Sequence, residues 1–323
     1  MEKYSQFRDR GSGVSPFLPH VTPVSIPTRF WHMVIFCFRL PIFLLYVACY
    51  FLLLTHLPLP VVFRKLLLWG MLGIPGIWWV DLQLDGVKRG HLHEQPAERV
   101  PHPGSIIAAQ FTSPIDALYL AAIFDPIFTI SYPGTQKVQR ISLLGAIFLA
   151  LAPIRLQPPN RNSLTTLRKL REDYPHRVIA VFPECSTTNG KGLLPLSTSL
   201  LGAPADAKIF PISLRYTPQD ITTPIPGTYF SFLWNLLSKP THCIRVRIAE
   251  AVTNKADLSN EFEVLEDGGE EEYDEDEDPT TPEGRKLLDH IAETLARLAR
   301  NKRVGLTLRD KAAFVEAWTK GRK

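Results

Sequence analysis

The sequence predicts an α/β fold: a mostly parallel central sheet flanked by helices, with an N-terminal membrane-embedded helix or helical hairpin. Three observations predict it. Short β-branched runs, such as 104–109, 127–131, 177–182 and 208–214, alternate with helix-length segments. Two of these runs end abruptly in small polar residues, at 110–116 and 183–192. Near the N-terminus, Phe30 to Leu54 is almost wholly apolar and long enough to span a hydrocarbon core.

Taken in order, residues 1–28 are polar and carry Pro16, Pro19, Pro23 and Pro27, which predicts a flexible tail. Residues 29–80 form the membrane segment. Arg39 and Pro41 interrupt its first stretch, and an Arg in mid-span costs at least about 2.5 kcal/mol. A second apolar stretch, Leu66 to Val80, has Trp69, Trp78 and Trp79 at its edges, where tryptophan favours the membrane interface. Two readings stand side by side: one anchor followed by an interfacial helix, or a re-entrant hairpin with both ends on one side.

Residues 81–256 read as the α/β domain. Asp81 to Leu84 opens it as an edge strand. Strand 104–109, helix 115–124 and strand 127–131 follow. The pattern then predicts a helix over Val138 to Leu151, a short strand at Pro153 to Leu156 and an amphipathic helix from Ser163 to Glu172. After strand 177–182 come a short helix, Leu193 to Leu201, the strand 208–214, a helix at Phe230 to Leu237 and a strand at Ile244 to Ile248. Residues 257–282 carry an acidic run that self-repulsion keeps disordered. Residues 283–323 hold two amphipathic helices, Glu283 to Asn301 and Leu308 to Thr319, that pack on the domain.

Charge and cysteine narrow the function. The formal net charge of +4 becomes +16 once the 12 acidic residues between Glu261 and Asp278 are set aside. A basic body suits an anionic partner such as phospholipid headgroups or coenzyme A phosphates. No basic stretch is interleaved with aromatics and no zinc spacing occurs, which argues against nucleic acid. Cys37, Cys49, Cys185 and Cys243 show no paired spacing, so a disulfide framework is not expected.

The chemistry is expected at the polar strand ends. Phe182-Pro183-Glu184-Cys185-Ser186-Thr187 follows one strand, and Gln110-Phe111-Thr112-Ser113-Pro114-Ile115-Asp116 another. Such ends leave amides and hydroxyls available to an anionic ligand. Plainer roles exist for each residue. Asp116 can cap the helix behind it, Glu184 can be a cap or a surface acid, Arg155 a surface cation, and Cys185 a small packed residue. Residues 185–192 lack the first Gly and the terminal Ser/Thr of a nucleotide phosphate loop, and no Gly-x-Ser-x-Gly elbow occurs.

Four segments together resemble the glycerophospholipid acyltransferases that use acyl-coenzyme A, the PlsC-like family. Phe182 to Thr187 looks like the family's Phe-Pro-Glu-Gly-Thr block, and Ile209-Phe210-Pro211-Ile212 like its fourth block. Pro153-Ile154-Arg155 lies where the second block ends in Arg. Gln110 to Asp116 aligns with the first block, Asn-His-x-Ser-x-x-Asp. The N-terminal stretch and the C-terminal helices are similar to the fungal lysophosphatidic acid:oleoyl-CoA branch, which is linked to vacuolar protein sorting.

The resemblance implies transfer of a fatty acyl group from acyl-CoA, a co-substrate, to lysophosphatidic acid, with no bound cofactor and no metal. It implies partners in membrane lipid and lysophospholipid, and a place on the endoplasmic reticulum or lipid droplet with the domain facing the cytosol. It casts Asp116 as the surviving member of a His–Asp dyad, with Phe111 at the position of the missing His. Gln110, Ser113, Arg155, Pro183, Glu184, Cys185, Ser186, Thr187 and Lys191 would hold the substrate. Phenylalanine accepts no proton, and general base catalysis is worth about 10²–10⁴-fold. Loss of the His therefore also admits a catalytically impaired protein that binds lysolipid and acts in trafficking. His91, His93 and His102 precede the block and reach it only if a loop folds back. Cys185 replaces a Gly, and Thr187 or Thr188 an Arg.

Overall fold

A computed structural model describes residues 2–88, 90, 91, 94–254 and 281–321. The acidic run of 257–282 lies outside the described residues except for its last two positions, and so does His93.

The elements run α1 (Ile26–Leu52), α2 (Val61–Gly73), β1 (Ile77–Leu84), β2 (Ile106–Ala109), α3 (Pro114–Phe124), β3 (Ile127–Ser131), β4 (Val138–Ile141), α4 (Leu143–Leu149), β5 (Leu164–Thr165), α5 (Leu167–Asp173), β6 (Ile179–Val181), β7 (Gly192–Leu193), β8 (Lys208–Thr217), α6 (Tyr229–Leu237), β9 (His242–Ile248), β10 (Val252–Thr253), α7 (Pro282–Ala299), β11 (Lys302–Arg303) and α8 (Leu308–Lys320). The main sheet has the order β1-β9-β8-β2-β6-β3-β4-β5, with β10 against β8. Its centre, β8-β2-β6-β3, is parallel, and antiparallel pairs flank it on both sides. The fold is thus α/β with a parallel centre.

The central strands are buried on both faces, which is why they read as unbroken apolar runs. One core layer joins Ile107, Ala109, Phe111, Phe128 and Phe182 to α3 and the N-terminal helices. The other joins Ile106, Ala108, Val181 and Ile209 to α5 and α7. The topology puts the ends of β2 and β6 side by side, so both polar breaks open at one edge of the sheet. In open parallel sheets that edge is where ligands bind.

Several segments differ from the sequence expectation. The second apolar stretch is not helical to Val80: α2 ends at Gly73, and Trp78, Trp79 and Val80 lie in edge strand β1, parallel to β9. The run from Val138 divides. Val138–Ile141 pairs with β3, and Ser142 then caps α4 by accepting from the Gly145 amide at 3.1 Å. Pro153 to Leu156 forms no strand. The helix placed at Ser163 starts instead at Leu167, with Thr166 as its cap. Leu193 to Leu201 is not a helix but a two-residue strand followed by a 3-10 turn.

The largest departure is the N-terminal tail. It packs rather than waves: Phe17 is buried, and Tyr4, Phe7, Val14 and Leu18 join it against Phe314, Val315 and Trp318 of α8. The Phe314 ring takes Phe7 edge-on at 5.3 Å and Tyr4 at 5.6 Å. Prolines hid this, because they remove helix and strand periodicity while leaving spaced aromatics free to anchor the chain.

Candidate active site

Block one leaves β2 and enters α3. The Gln110 amide donates to the Ile212 carbonyl at 3.1 Å, which ties the block to β8, and its side-chain oxygen accepts from Ser213 Oγ at 3.0 Å. The next residue points the other way. Phe111 is fully buried, and its ring stacks on Phe182 with centroids 4.4 Å apart. The position read as that of a missing His is therefore a packed part of the core.

Asp116 is equally committed. One oxygen accepts from the Thr112 amide at 2.6 Å, the Ser113 amide at 2.8 Å and Thr112 Oγ1 at 3.1 Å, and the other from the Tyr216 hydroxyl. With Ser113 at the N-cap this is a capping box, and Pro114 at the first helical position suits the missing N–H there. Burial pushes the Asp116 carboxyl up to about 6, against the four donors that lower it. Ser113 Oγ donates to the Ile221 carbonyl at 2.8 Å. These groups build the turn at the start of α3.

Block three follows β6. Glu184 is buried and bridges two loops, accepting from the Phe111 amide at 3.3 Å and the Leu194 amide at 3.2 Å. Burial pushes its carboxyl up to about 8. Pro183 accepts from the Ser197 amide at 2.8 Å. Cys185 sits at φ +56°, the left-handed turn that explains why a glycine would suit this place. Burial pushes its thiol up to about 12, which favours the protonated thiol over the thiolate. The Thr188 amide donates to the Phe111 carbonyl at 3.1 Å, which closes block three onto block one. Thr187 Oγ1 donates to the Thr223 carbonyl at 2.5 Å.

The rest of the loop is held by the N-terminal segment. The Asn189 amide donates to the Pro16 carbonyl, and its side chain to the Ser15 and Leu18 carbonyls, each at 2.8 Å. Lys191 is exposed on this side, near His20. Arg155 is exposed and lies near the Tyr132 hydroxyl, which donates to Gln139 Oε1 at 2.7 Å. The structure thus brings Phe111, Glu184 and Thr188 together, with Arg155 exposed near Tyr132.

Among the described residues, neither His91 nor His102 substitutes for Phe111. His102 stands before β2, at the opposite end of the strand from block one, with Nδ1 3.2 Å from the Val100 carbonyl oxygen. His91 pairs with Glu94 at 3.0 Å.

One functional group was missed. Lys311 of α8 is fully buried, and its Nζ lies 2.6 Å from Ser186 Oγ, 2.5 Å from the Thr187 carbonyl oxygen and 3.4 Å from Thr187 Oγ1. Burial lowers its ammonium to about 7, partly opposed by Glu184. A signal existed: Lys311 shares the inward face of α8 with Phe314, Val315 and Trp318, at helical spacing. A lysine on an apolar helix face is buried at a cost and needs a reason.

No protein-family model matches the chain. A putative lysophosphatidic acid:oleoyl-CoA acyltransferase of Schizosaccharomyces pombe is 24% identical over 99% of both chains. Lysophosphatidic acid:oleoyl-CoA acyltransferase 1 of Saccharomyces cerevisiae is 26% identical over 61% of each. A 1-acyl-sn-glycerol-3-phosphate acyltransferase of Neisseria meningitidis is 27% identical over 47% of this chain and 61% of its own. The crystal structure of the lysophosphatidic acid acyltransferase PlsC from Thermotoga maritima matches with a TM-score of 0.45 at 14% identity, over 85% of this chain and 95% of that one. The relatives are those the four blocks pointed to: the chain is similar along its whole length to a fungal protein named as a lysophosphatidic acid:oleoyl-CoA acyltransferase, and over about half of its length to a bacterial 1-acyl-sn-glycerol-3-phosphate acyltransferase.

Proposed function

We propose that the chain is a membrane-attached acyltransferase that moves a fatty acyl group from acyl-CoA to lysophosphatidic acid, giving phosphatidic acid. The observation that carries this reading is the joining of blocks one and three at the parallel edge, through Phe111, Glu184 and Thr188, in a chain similar end to end to a protein of that name. Arg155 is an exposed cation near Tyr132 and would meet the acceptor phosphate.

Membrane attachment has its own support. Ile26–His56 is long and apolar enough to cross a membrane. Yet α1 lies along the domain: Phe36 packs on Trp234 at 4.9 Å, and Tyr46 donates to the Leu67 carbonyl at 2.9 Å. The Arg39 guanidinium donates to the Lys239, Pro240 and Pro75 carbonyls at 2.6, 3.0 and 3.2 Å, which supports it where a bilayer would not. The opposite face exposes Phe30, Trp31, Phe38 and Leu45, continued by Phe63 and Leu66 of α2 and by Trp78 and Trp79 of β1. These features favour the hairpin reading, with α1 and α2 embedded in one leaflet and both ends on one side. We place the membrane at the endoplasmic reticulum or lipid droplet, with the domain in the cytosol.

Phe111 favours a second reading, lysolipid binding without turnover, because its stacked ring can take no proton. Labelled oleoyl-CoA and lysophosphatidic acid given to the detergent-solubilised protein separate the two. Labelled phosphatidic acid supports the first. Saturable lysophosphatidic acid binding without product, across several acceptors, supports the second.

A further inference from the structure

We infer that Ser186 and Lys311 form a serine–lysine pair that performs the acyl transfer in place of the missing histidine, with Ser186 as nucleophile and Lys311 as its base. The inference rests on the acyltransferase reading and deepens it.

The geometry is that of a nucleophile and its base. Lys311 Nζ is 2.6 Å from Ser186 Oγ, within the reach that proton transfer requires. Ser186 is only half-buried, whereas Lys311 lies fully buried beneath it, so a substrate at the loop meets the hydroxyl and not the amine.

Nζ donates to three oxygens, Ser186 Oγ, the Thr187 carbonyl and Thr187 Oγ1, one for each hydrogen of the ammonium, and the same shell accommodates the neutral amine once the proton toward Ser186 is lost. The two N–H groups of that amine keep two acceptors, the Thr187 carbonyl at 2.5 Å and Thr187 Oγ1 at 3.4 Å. Thr187 Oγ1 can only accept here, because its own hydrogen goes to the Thr223 carbonyl. In that neutral form the lone pair faces Ser186 Oγ, and the 2.6 Å contact, in which the ammonium donates, is reversed so that the Ser186 hydroxyl donates to the amine. An ammonium at this place would be a buried cation. Among the described residues no carboxylate is in ion-pair contact with Nζ, and the nearby Glu184 is bound to two backbone amides. Burial accordingly lowers the lysine to about 7, and a neutral fraction exists at neutral pH without further cost. Lysine serves serine in this way on unrelated folds.

The chemistry closes. Lys311 takes the hydroxyl proton as Ser186 Oγ attacks the thioester carbonyl carbon of acyl-CoA. The new C–O bond forms, the C–S bond breaks, and coenzyme A leaves as the thiol with the proton returned by Lys311. The acceptor hydroxyl then attacks the acyl-serine, giving its proton to Lys311. The serine C–O bond breaks, and Ser186 recovers the proton. Phe111 and Asp116 take no part, which fits their packed and saturated state.

The test is to incubate the full-length protein in detergent with oleoyl-CoA alone and look for an oleoyl ester by intact mass, located by peptide mapping, beside transfer to lysophosphatidic acid. The native protein is expected to be esterified on Ser186. Ser186→Ala should keep its melting temperature, carry no ester and transfer at least about 100-fold more slowly. Lys311→Arg keeps a charge and most of the length but cannot accept a proton, so it should lose the ester too, and a purely structural lysine would leave esterification intact. Transfer that survives in Ser186→Ala, or that proceeds in the native protein without a serine ester, overturns the pair and leaves the acyltransferase reading standing. A native protein that is neither esterified nor able to transfer overturns both.

Discussion

Two parts of the same strand edge hold opposite kinds of polar chemistry. At the Phe111–Asp116 position every group is spoken for: the ring is stacked in the core and the carboxylate accepts four hydrogen bonds. At the Ser186–Lys311 position a half-buried hydroxyl meets a buried lysine that, among the described residues, has no carboxylate in ion-pair contact. The first arrangement stores stability, because saturated buried polar groups rigidify a turn. The second has the unbalanced basicity that reacting groups require. A motif's residues can thus persist as architecture while the chemistry moves to a neighbouring loop.

Substitutions that exchange these roles would break the comparison. The largest effect is expected from Lys311→Arg, a loss of at least about 100-fold in transfer rate with little change in acceptor KM, read by steady-state kinetics. Asp116→Ala should act on folding. It strands the Thr112 and Ser113 amides and the Tyr216 hydroxyl, and should lower stability by about 3 kcal/mol in urea denaturation. A variant that stays folded but is catalytically dead would instead return Asp116 to the chemistry. Phe111→His should cost about 2 kcal/mol, because it removes a stacked core ring and buries an imidazole, and should give no gain in transfer.

Titration sharpens the same contrast. The folded lysine releases its proton near 7 and the unfolded one near 10.5, so between those values the unfolded chain holds more protons. Lys311 therefore adds stability as pH rises from 7 toward 10.5. Glu184, the charged group that faces it, works the other way, losing its contribution as pH rises toward 8. The stability gap between the native protein and Lys311→Met should widen in the native protein's favour above pH 8. A gap that narrows there would mean a charged, structural lysine. Cys185→Gly is the smallest change, expected to stabilise by about 1 kcal/mol by relieving the left-handed backbone at φ +56°.

Much of this was legible in the sequence, for particular reasons. The central strands announced themselves because burial on both faces leaves unbroken β-branched runs, as at 127–131 and 208–214. Ser113-Pro114-Ile115-Asp116 carries a cap, a first-turn proline and a capping acid, so α3 could be placed almost to the residue. The edges were less legible. Val138–Ile141 and Trp78–Val80 are apolar on any period, and only pairing with β3 and β9 decides for strand. The N-terminal tail was misread because its anchors, Tyr4, Phe7 and Phe17, meet α8 some 300 positions later along the chain. Lys311 was missed for the same reason. Its partners Ser186 and Thr187 are 125 and 124 positions away, and no local pattern brings them together.

The most direct measurement is labelled oleoyl transfer to lysophosphatidic acid by the native protein beside Phe111→His. The account predicts phosphatidic acid from the native protein and no increase in the variant. A folded, lysolipid-binding native protein that makes no product, with activity appearing in Phe111→His, would contradict it and leave a lipid-binding protein whose site has lost its base.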